Sequence, residues 1–358
     1  VEDLSIPLAG LPISVTRTFD SRRRNENLDF GYGWSVDYQN IQVDESLEPT
    51  QGWYQYSSRS QFESGDDVVV SKSTCIAPIG EKKVSITLPD GSVERFKTKA
   101  KALDGGLESK SHPDCYFTTG RYYQIEFEPE GNTKSQLQLS EYHEHSFFLT
   151  DVDDGHFVAD IIKIDYTPIS KYQLTTQGGY VYQLDQQFGV KIVTDPNGNT
   201  LTYSAQGITH SSGKGVVFNR DENGRINSIV NPAGETVMEY QYASTGDLRF
   251  AKDAQAFSEN LNGVEYVYNV DHNIVDIIDP LGRKLVKNLY DDNGRLTGQE
   301  DGVGNVKMFD HDINAGTSFV TDLDGRSTLL NYDAKGNVTQ DIKLISDGSY
   351  TSDIVTAF

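Results

Sequence analysis

Apolar and polar residues alternate through most of this chain, in short runs closed by turn-forming residues. Met238, Tyr240 and Tyr242 fall on one side of such a run, and Val237, Glu239 and Gln241 on the other. Tyr266, Tyr268 and Val270 oppose Glu265, Val267 and Asn269, and Tyr180, Tyr182 and Leu184 oppose Val181, Gln183 and Asp185. A period of two bounded by turn residues is the signal of a half-buried strand. No stretch sustains a helical period. The pattern predicts an all-β chain built from serial antiparallel strands.

The punctuation between the runs is itself periodic. Asp or Asn, two variable residues and Gly recur from Asp195 to Gly198, Asp221 to Gly224, Asn231 to Gly234 and Asp279 to Gly282. They return from Asp291 to Gly294, Asp301 to Gly304, Asp322 to Gly325 and Asp333 to Gly336, usually followed by Arg or Asn. Gly282 to Gly294 is twelve residues, Gly294 to Gly304 ten and Gly325 to Gly336 eleven, one strand plus one turn each. Gly304 to Gly325, at twenty-one, is a doubled step. Fixed spacing of this kind marks a repeat protein. Asp or Asn at the first position accepts from backbone N–H groups two or three residues on, and Gly at the fourth supplies the left-handed conformation that closes a three-residue hairpin with a G1 bulge. The turn glycines therefore serve folding of the array.

The chain reads as three regions. Residues 1–45 form an opening segment in which LPISVTRTFDS alternates from Leu11 to Phe19, and GYGWS places Gly31 and Gly33 around an aromatic, directly before Trp34. That arrangement predicts a tight backbone approach under the indole. Residues 46–175 are an irregular β-rich region with strand candidates KVSITL, YYQIEFE, SFFLTDV and DIIKIDY, and one early turn-then-strand unit, LPDGSVERF from Leu88 to Phe96. Residues 176–358 are the repeat array. The chain starts at Val1 and stops on a strand-like run at Phe358, which reads as an excised portion of something larger.

Composition fits strands: 32 Gly, 20 Tyr and 16 Phe accompany only two Met and two Trp. Fifty-three acidic against 31 basic residues leave a net charge of −22, which repels phosphate backbones and excludes nucleic acid as a partner. The densest basic cluster, Arg22 to Arg24, reads as a solvated loop. No apolar run approaches the ~20 residues of a membrane helix, so membrane insertion by this segment is not expected.

The Asp-x-x-Gly-Arg/Asn turns with nearby Tyr and Asp, as in LYDDNGRL from Leu289 and NYDAKGNV from Asn331, resemble the YD repeats of the Rhs family. LPISVTRTFDS followed by GYGWS is similar to the segment preceding the array in bacterial Rhs and wall-associated YD-repeat proteins. GGYVYQLDQQFG running into TDPNGNTLTY is a third match in the expected order. The resemblance covers about 1–45 and 176–345. It implies a long sheet wound into a hollow shell, as in the B and C components of Tc toxins and in teneurins. In the toxins the shell encloses a C-terminal effector severed by an aspartyl autoprotease-like core; neither that core nor a variable tail is found in this sequence.

Catalytic signatures are missing: there is no G-x-S-x-G or H-E-x-x-H, and GKG at Gly213 to Gly215 lacks the Ser or Thr of a phosphate loop. Asp153–Asp154 and Glu141/Glu144 read as solvated faces or turns. No enzyme activity and no cofactor are expected. His143 and His145, with His112 and Cys115 near, make a zinc site conceivable, yet no ligand spacing is complete and polar strand positions explain them. Asp322 and Asp324, or Asp291, Asp292 and Asn293, suggest calcium, but turn chemistry accounts for each. Cys75 and Cys115 either form a disulfide or stay as separate buried thiols. Two functions remain. One is a structural shell segment of a secreted bacterial protein whose partner is the remainder of its own polypeptide, including an effector. The other is a cell-surface adhesion or glycan-binding module that uses Trp34, Trp53, Tyr54 and Tyr56 as stacking platforms for surface glycans or proteins.

Overall fold

The computed structural model describes residues 1–39, 41–49, 53–64, 67–78, 80–88, 92–102, 107–108, 116–118, 122–140, 147–149, 161–162, 171–333, 338–344 and 354–357. The fold is nearly all β. Among the described residues, the helical exceptions are a five-residue helix, Ala254–Ser258, and two 3-10 turns, Ser21–Arg23 and Asp37–Gln39. Asp253 caps the helix by accepting from the Ala256 N–H at 2.8 Å. The chain divides into two compact units, Val1–Leu4, Thr16–Ser35 and Val217–Phe358 in one, Ser5–Val15 and Val36–Val216 in the other. The opening segment contributes to both.

In the first unit every strand of the array pairs antiparallel with the next in sequence. Gly215–Arg220 is followed by Ile226–Val230, Thr236–Tyr242, Leu248–Asp253, Val264–Tyr268, Ile274–Ile278 and Lys284–Tyr290. Leu296–Asp301, Val306–Asp312, Thr317–Thr321, Ser327–Tyr332, Val338–Leu344 and Ile354–Ala357 continue the series. Alternation decides which side chains meet the core: Met238, Tyr240 and Tyr266 are buried with Phe218, Ile226, Ile229 and Leu248, while Val267 is exposed. Val270 departs from the expected pattern. Its strand ends at Tyr268, and Val270 sits 94% exposed in a turn beginning at Asn269.

The second unit holds the earlier strands. A six-stranded sheet has the order Ile161–Ile162, Phe147–Leu149, Tyr122–Pro129, Val93–Ala102, Lys83–Thr87, Gln42–Glu45. A four-stranded sheet runs Leu107–Glu108, Tyr116–Thr118, Asp67–Pro78, Trp53–Ser64. A sequential ladder passes from Gln136–Leu139 through Lys171–Thr175, Val181–Asp185, Gly189–Thr194 and Thr200–Ser204 to Gly207–His210. Its core gathers Val84, Ile86, Phe96, Tyr172, Leu174, Leu184 and Ile208. Of SFFLTDV only Phe147–Leu149, and of DIIKIDY only Ile161–Ile162, fall within the described residues.

Candidate functional site

The turns of the array share one hydrogen-bond set. At Asp221 the backbone N–H donates to Arg225 O at 2.8 Å, and the Gly224 N–H returns to Asp221 O at 3.0 Å. Asp221 Oδ1 accepts from the N–H groups of Asn223 and Arg225, both at 2.9 Å. The same four bonds recur from Asp195, Asn231, Asp279, Asp291, Asp301 and Asp322. Gly198, Gly224, Gly234, Gly282, Gly294, Gly304 and Gly325 all have φ between +75° and +94°, the region that costs a side chain most. Asp333 is described, whereas Gly336 lies outside the described residues.

Why Arg or Asn follows the glycine is clear from the second carboxylate oxygen. Asn199 Nδ2 donates to Asp195 Oδ2 at 2.7 Å, and Asn305 Nδ2 to Asp301 Oδ2 at 2.8 Å. Arg225 reaches Asp221 Oδ2 through Nη2 at 2.6 Å, and Arg283 reaches Asp279 Oδ2 through Nε at 2.6 Å. Both oxygens of these carboxylates are spent inside the turn. The Asn199 side chain and backbone N–H hold the Asp195 carboxyl below its ordinary range. The Arg283 N–H does the same for Asp279, the Arg295 N–H for Asp291, and the Asn305 amide for Asp301. At Asp221 burial pushes the other way and the Arg225 hydrogen bonds outweigh it.

Within the first unit the opening segment lies against the array. Arg17 is 1% exposed; its Nε donates to Asp3 Oδ2 at 2.6 Å, and Tyr240 OH donates to the same oxygen at 2.6 Å. The guanidinium carbon sits 4.9 Å from the ring centre of Trp34, 5.2 Å from Tyr266 and 5.6 Å from Tyr240. Among the described residues Arg17 Nη1 has no hydrogen-bond acceptor; the guanidinium instead lies among these rings, whose negative faces attract a cation. Burial disfavours the Arg17 cation, but the Asp3 carboxylate outweighs it and the pKa rises; burial drives the Tyr240 phenol well up. Trp34 Nε1 donates to Tyr268 OH at 2.8 Å, and Phe30 meets the Tyr240 ring edge-on at 4.7 Å. Arg220 Nη2 reaches Asp29 Oδ1 at 2.6 Å, closing the far side.

Both glycines of GYGWS have close neighbours besides the indole that follows them. A Cβ on Gly31 would stand 2.5 Å from Gly246 O in a turn of the array, and one on Gly33 2.6 Å from the Phe19 ring. The adjoining indole lies against Arg17 and donates to Tyr268. Trp34 at 3% and Trp53 at 1% exposure are core residues and offer no face to a sugar. Trp53 Nε1 donates to Pro49 O at 2.8 Å. Near it in the second unit, burial lowers the Lys82 ammonium to about 8, while Glu45 is raised by burial and accepts from Tyr172 OH.

Other expected positions are quickly placed. Asp322 Oδ1 is occupied by the N–H groups of Asp324 and Arg326, and Asp324 Oδ2 is 3.6 Å from Arg326. His143, His145 and Cys115 lie outside the described residues, and Cys75 sits on the strand Asp67–Pro78. Further turns escape the Asp-x-x-Gly pattern, among them Thr176 to Tyr180 with Gly179 at φ +79°. Asn269 makes all four turn bonds with His272 in the glycine position at φ +61°. His272 Nδ1 and Asp247 Oδ1 are 2.8 Å apart, and its ring stacks on Tyr32 at 4.1 Å. Ala243 to Asp247 and His210 to Lys214 make the same backbone turn without Asp or Asn. Arg17 was missed too, although it extends the buried side of its strand, where Ile13 and Val15 precede it.

No family model matches this chain, and no curated protein matches it. Among solved structures, a chain of "Crystal Structure of TcdB2-TccC3-TEV" matches with a TM-score of 0.31 at 12% identity, over 86% of this chain. This chain spans 17% of the length of that one. A likeness so slight carries no functional weight; the chemistry of this chain's own residues has to carry it.

Proposed function

We propose that this chain is a non-catalytic structural segment of a secreted or surface-exposed bacterial YD-repeat protein, enclosing or presenting an effector encoded further along the same polypeptide. The observation that carries this reading is the way the acidic turns use their carboxylates. A carboxylate bound by two backbone N–H groups and, in several turns, by a neighbouring amide or guanidinium is a structural part, with little left for general acid–base work. The resemblance to Rhs repeats supplies the effector and the bacterial setting.

Three apolar side chains on one face of the array are exposed. Leu285, Met308 and Phe319 are 45%, 50% and 40% exposed, and by register they share one face with Leu289 and Leu329. By the same register Lys287, Glu300 and Asp310 stand among them on that face, so the surface is mixed and carries no argument for a particular cover. With Trp34 and Trp53 buried, the adhesion reading loses two of its four platforms.

The test is protection. In the longer polypeptide, the segment following Phe358 should resist a protease that digests it when expressed alone. Trp34→Ala, which opens the Arg17 cluster, should speed its cleavage. Equal cleavage in both settings overturns the proposal, as does a specific hydrolytic activity of the purified chain.

A further inference from the structure

One group of cations in the first unit stands apart from the turn chemistry. Between the loop Ser21–Arg24 and the turn from Asp291 to Arg295, the sheet face opens into a pocket of about 420 Å³. Three arginines line it, Arg22, Arg24 and Arg295, and no carboxylate does, in a chain where acids outnumber bases by 53 to 31. Asp20 grips Arg22 through Nε and Nη2, and Arg295 Nη1 lies 3.8 Å from Asp291 Oδ2. Arg24 is different. Its Nη1 donates to Ser21 O at 3.0 Å, its Nε is buried with no acceptor, and no carboxylate lies in ion-pair range among the described residues.

A second stranded group lies beside it. Asn273 is 0% exposed, and among the described residues neither its Nδ2 nor its Oδ1 has a hydrogen-bond partner. A Cβ placed on Gly294 would stand 3.5 Å from Asn273 Nδ2 and 3.7 Å from Arg24 Nη2. Arg24 Nη2 and Asn273 Nδ2 thus both lie close to one turn glycine, while the Arg24 nitrogen without an acceptor is Nε. Buried donors without acceptors are costly and uncommon in folded proteins, and each calls for a reason.

We propose that this pocket binds a sugar acid, with the ligand carboxylate seated on Arg24 beside Gly294. A planar guanidinium matches a planar carboxylate bidentately. The volume lies within the ~300–1,000 Å³ usual for small-molecule sites. Phe19 and Tyr290 supply ring surface for a pyranose, and Asn293 and Gln299 supply amides for its hydroxyls. An acidic peptide fits less well. Extended peptides dock by adding a strand to a free sheet edge, and Lys284–Tyr290 and Leu296–Asp301, which floor the pocket, are already paired on both sides.

Calorimetric titration of the full chain with sodium glucuronate, glucose and sodium sulfate tests this. Glucuronate should bind, with glucose and sulfate each about tenfold weaker or worse, since each lacks one half of the recognition. Arg24→Gln, with its strand circular dichroism intact, should weaken glucuronate about tenfold or more, the loss of one charge-assisted contact. Should that variant fail to fold, the arginine Nε–H resonances of the parent chain decide. A glucuronate-dependent shift of the buried Arg24 signal supports the site, and its absence overturns it. Equal binding of glucose, equal binding of sulfate, unchanged affinity in folded Arg24→Gln, or tighter binding of a glutamate-rich peptide would each overturn the proposal.

Discussion

The buried residue on which the first unit most depends is Arg17, a cation enclosed by Asp3 and three aromatic rings. Removing one member of a buried pair leaves the other charge uncompensated, typically at about 3–5 kcal/mol. Arg17→Met should lower unfolding free energy by roughly that amount in urea titrations. Arg17→Lys should recover only part of it, because a compact ammonium cannot both meet Asp3 and lie flat among Trp34, Tyr240 and Tyr266. Full recovery by lysine would show that charge alone matters there. The backbone at His272 offers a second test. At φ +61° any side chain is strained, yet this one is hydrogen bonded to Asp247 and stacked on Tyr32. His272→Ala keeps the strain and loses both contacts; His272→Gly loses the contacts but relieves the strain. The glycine variant should be the more stable of the two by about 1 kcal/mol in thermal melts. The reverse order would mean that the turn relaxes around alanine.

At the scale of the element, a hairpin turn and its two strands form the working unit. Gly294→Val forces a β-branched residue to φ +75°, at about 1–3 kcal/mol. Hydrogen exchange should quicken from Asp291 to Thr297 more than in distant strands, because repeats contact mainly their neighbours. Uniform exchange across the array would remove that picture of independent units. These turns were legible because Asp-x-x-Gly is a local signal: all its partners lie within five residues. The Asn269 turn was hidden because His replaces the glycine, and its φ is sustained by Asp247 and Tyr32 from elsewhere in the unit. Val270 was misplaced for the same reason. The role of Arg17 was illegible on principle, since its partners are a carboxylate fourteen positions back and rings more than two hundred residues on. The arginine pocket suffered likewise: Arg22 to Arg24 read as a solvated loop, and the turn that faces it lies far along the chain.

Across the whole molecule, turn carboxylates with lowered pKa link folding to pH. Asp195, Asp221, Asp279, Asp291 and Asp301 bind protons less readily folded than unfolded. Their stabilisation is complete above the ordinary carboxylate value of about 4 and is lost as pH falls through their lower folded values. Unfolding free energy should therefore decline on acidification below about pH 4. Asp221→Asn should flatten that decline, since Asn231 makes the same backbone bonds without a charge. At neutral pH it should cost about 1 kcal/mol or less, the usual worth of such a pair. An unchanged acid profile would place the pH dependence elsewhere. The distance along the chain between Trp34 and Tyr268, 234 residues, also has a consequence in time. A ribosome adds about 5–20 residues per second, so Trp34 emerges roughly 10–50 s before the hydroxyl that receives its indole N–H. Hairpins of the array close as they are made, whereas Trp34 must wait for a partner made much later. During translation the segment around Trp34 therefore waits longer for its partner than a hairpin of the array does.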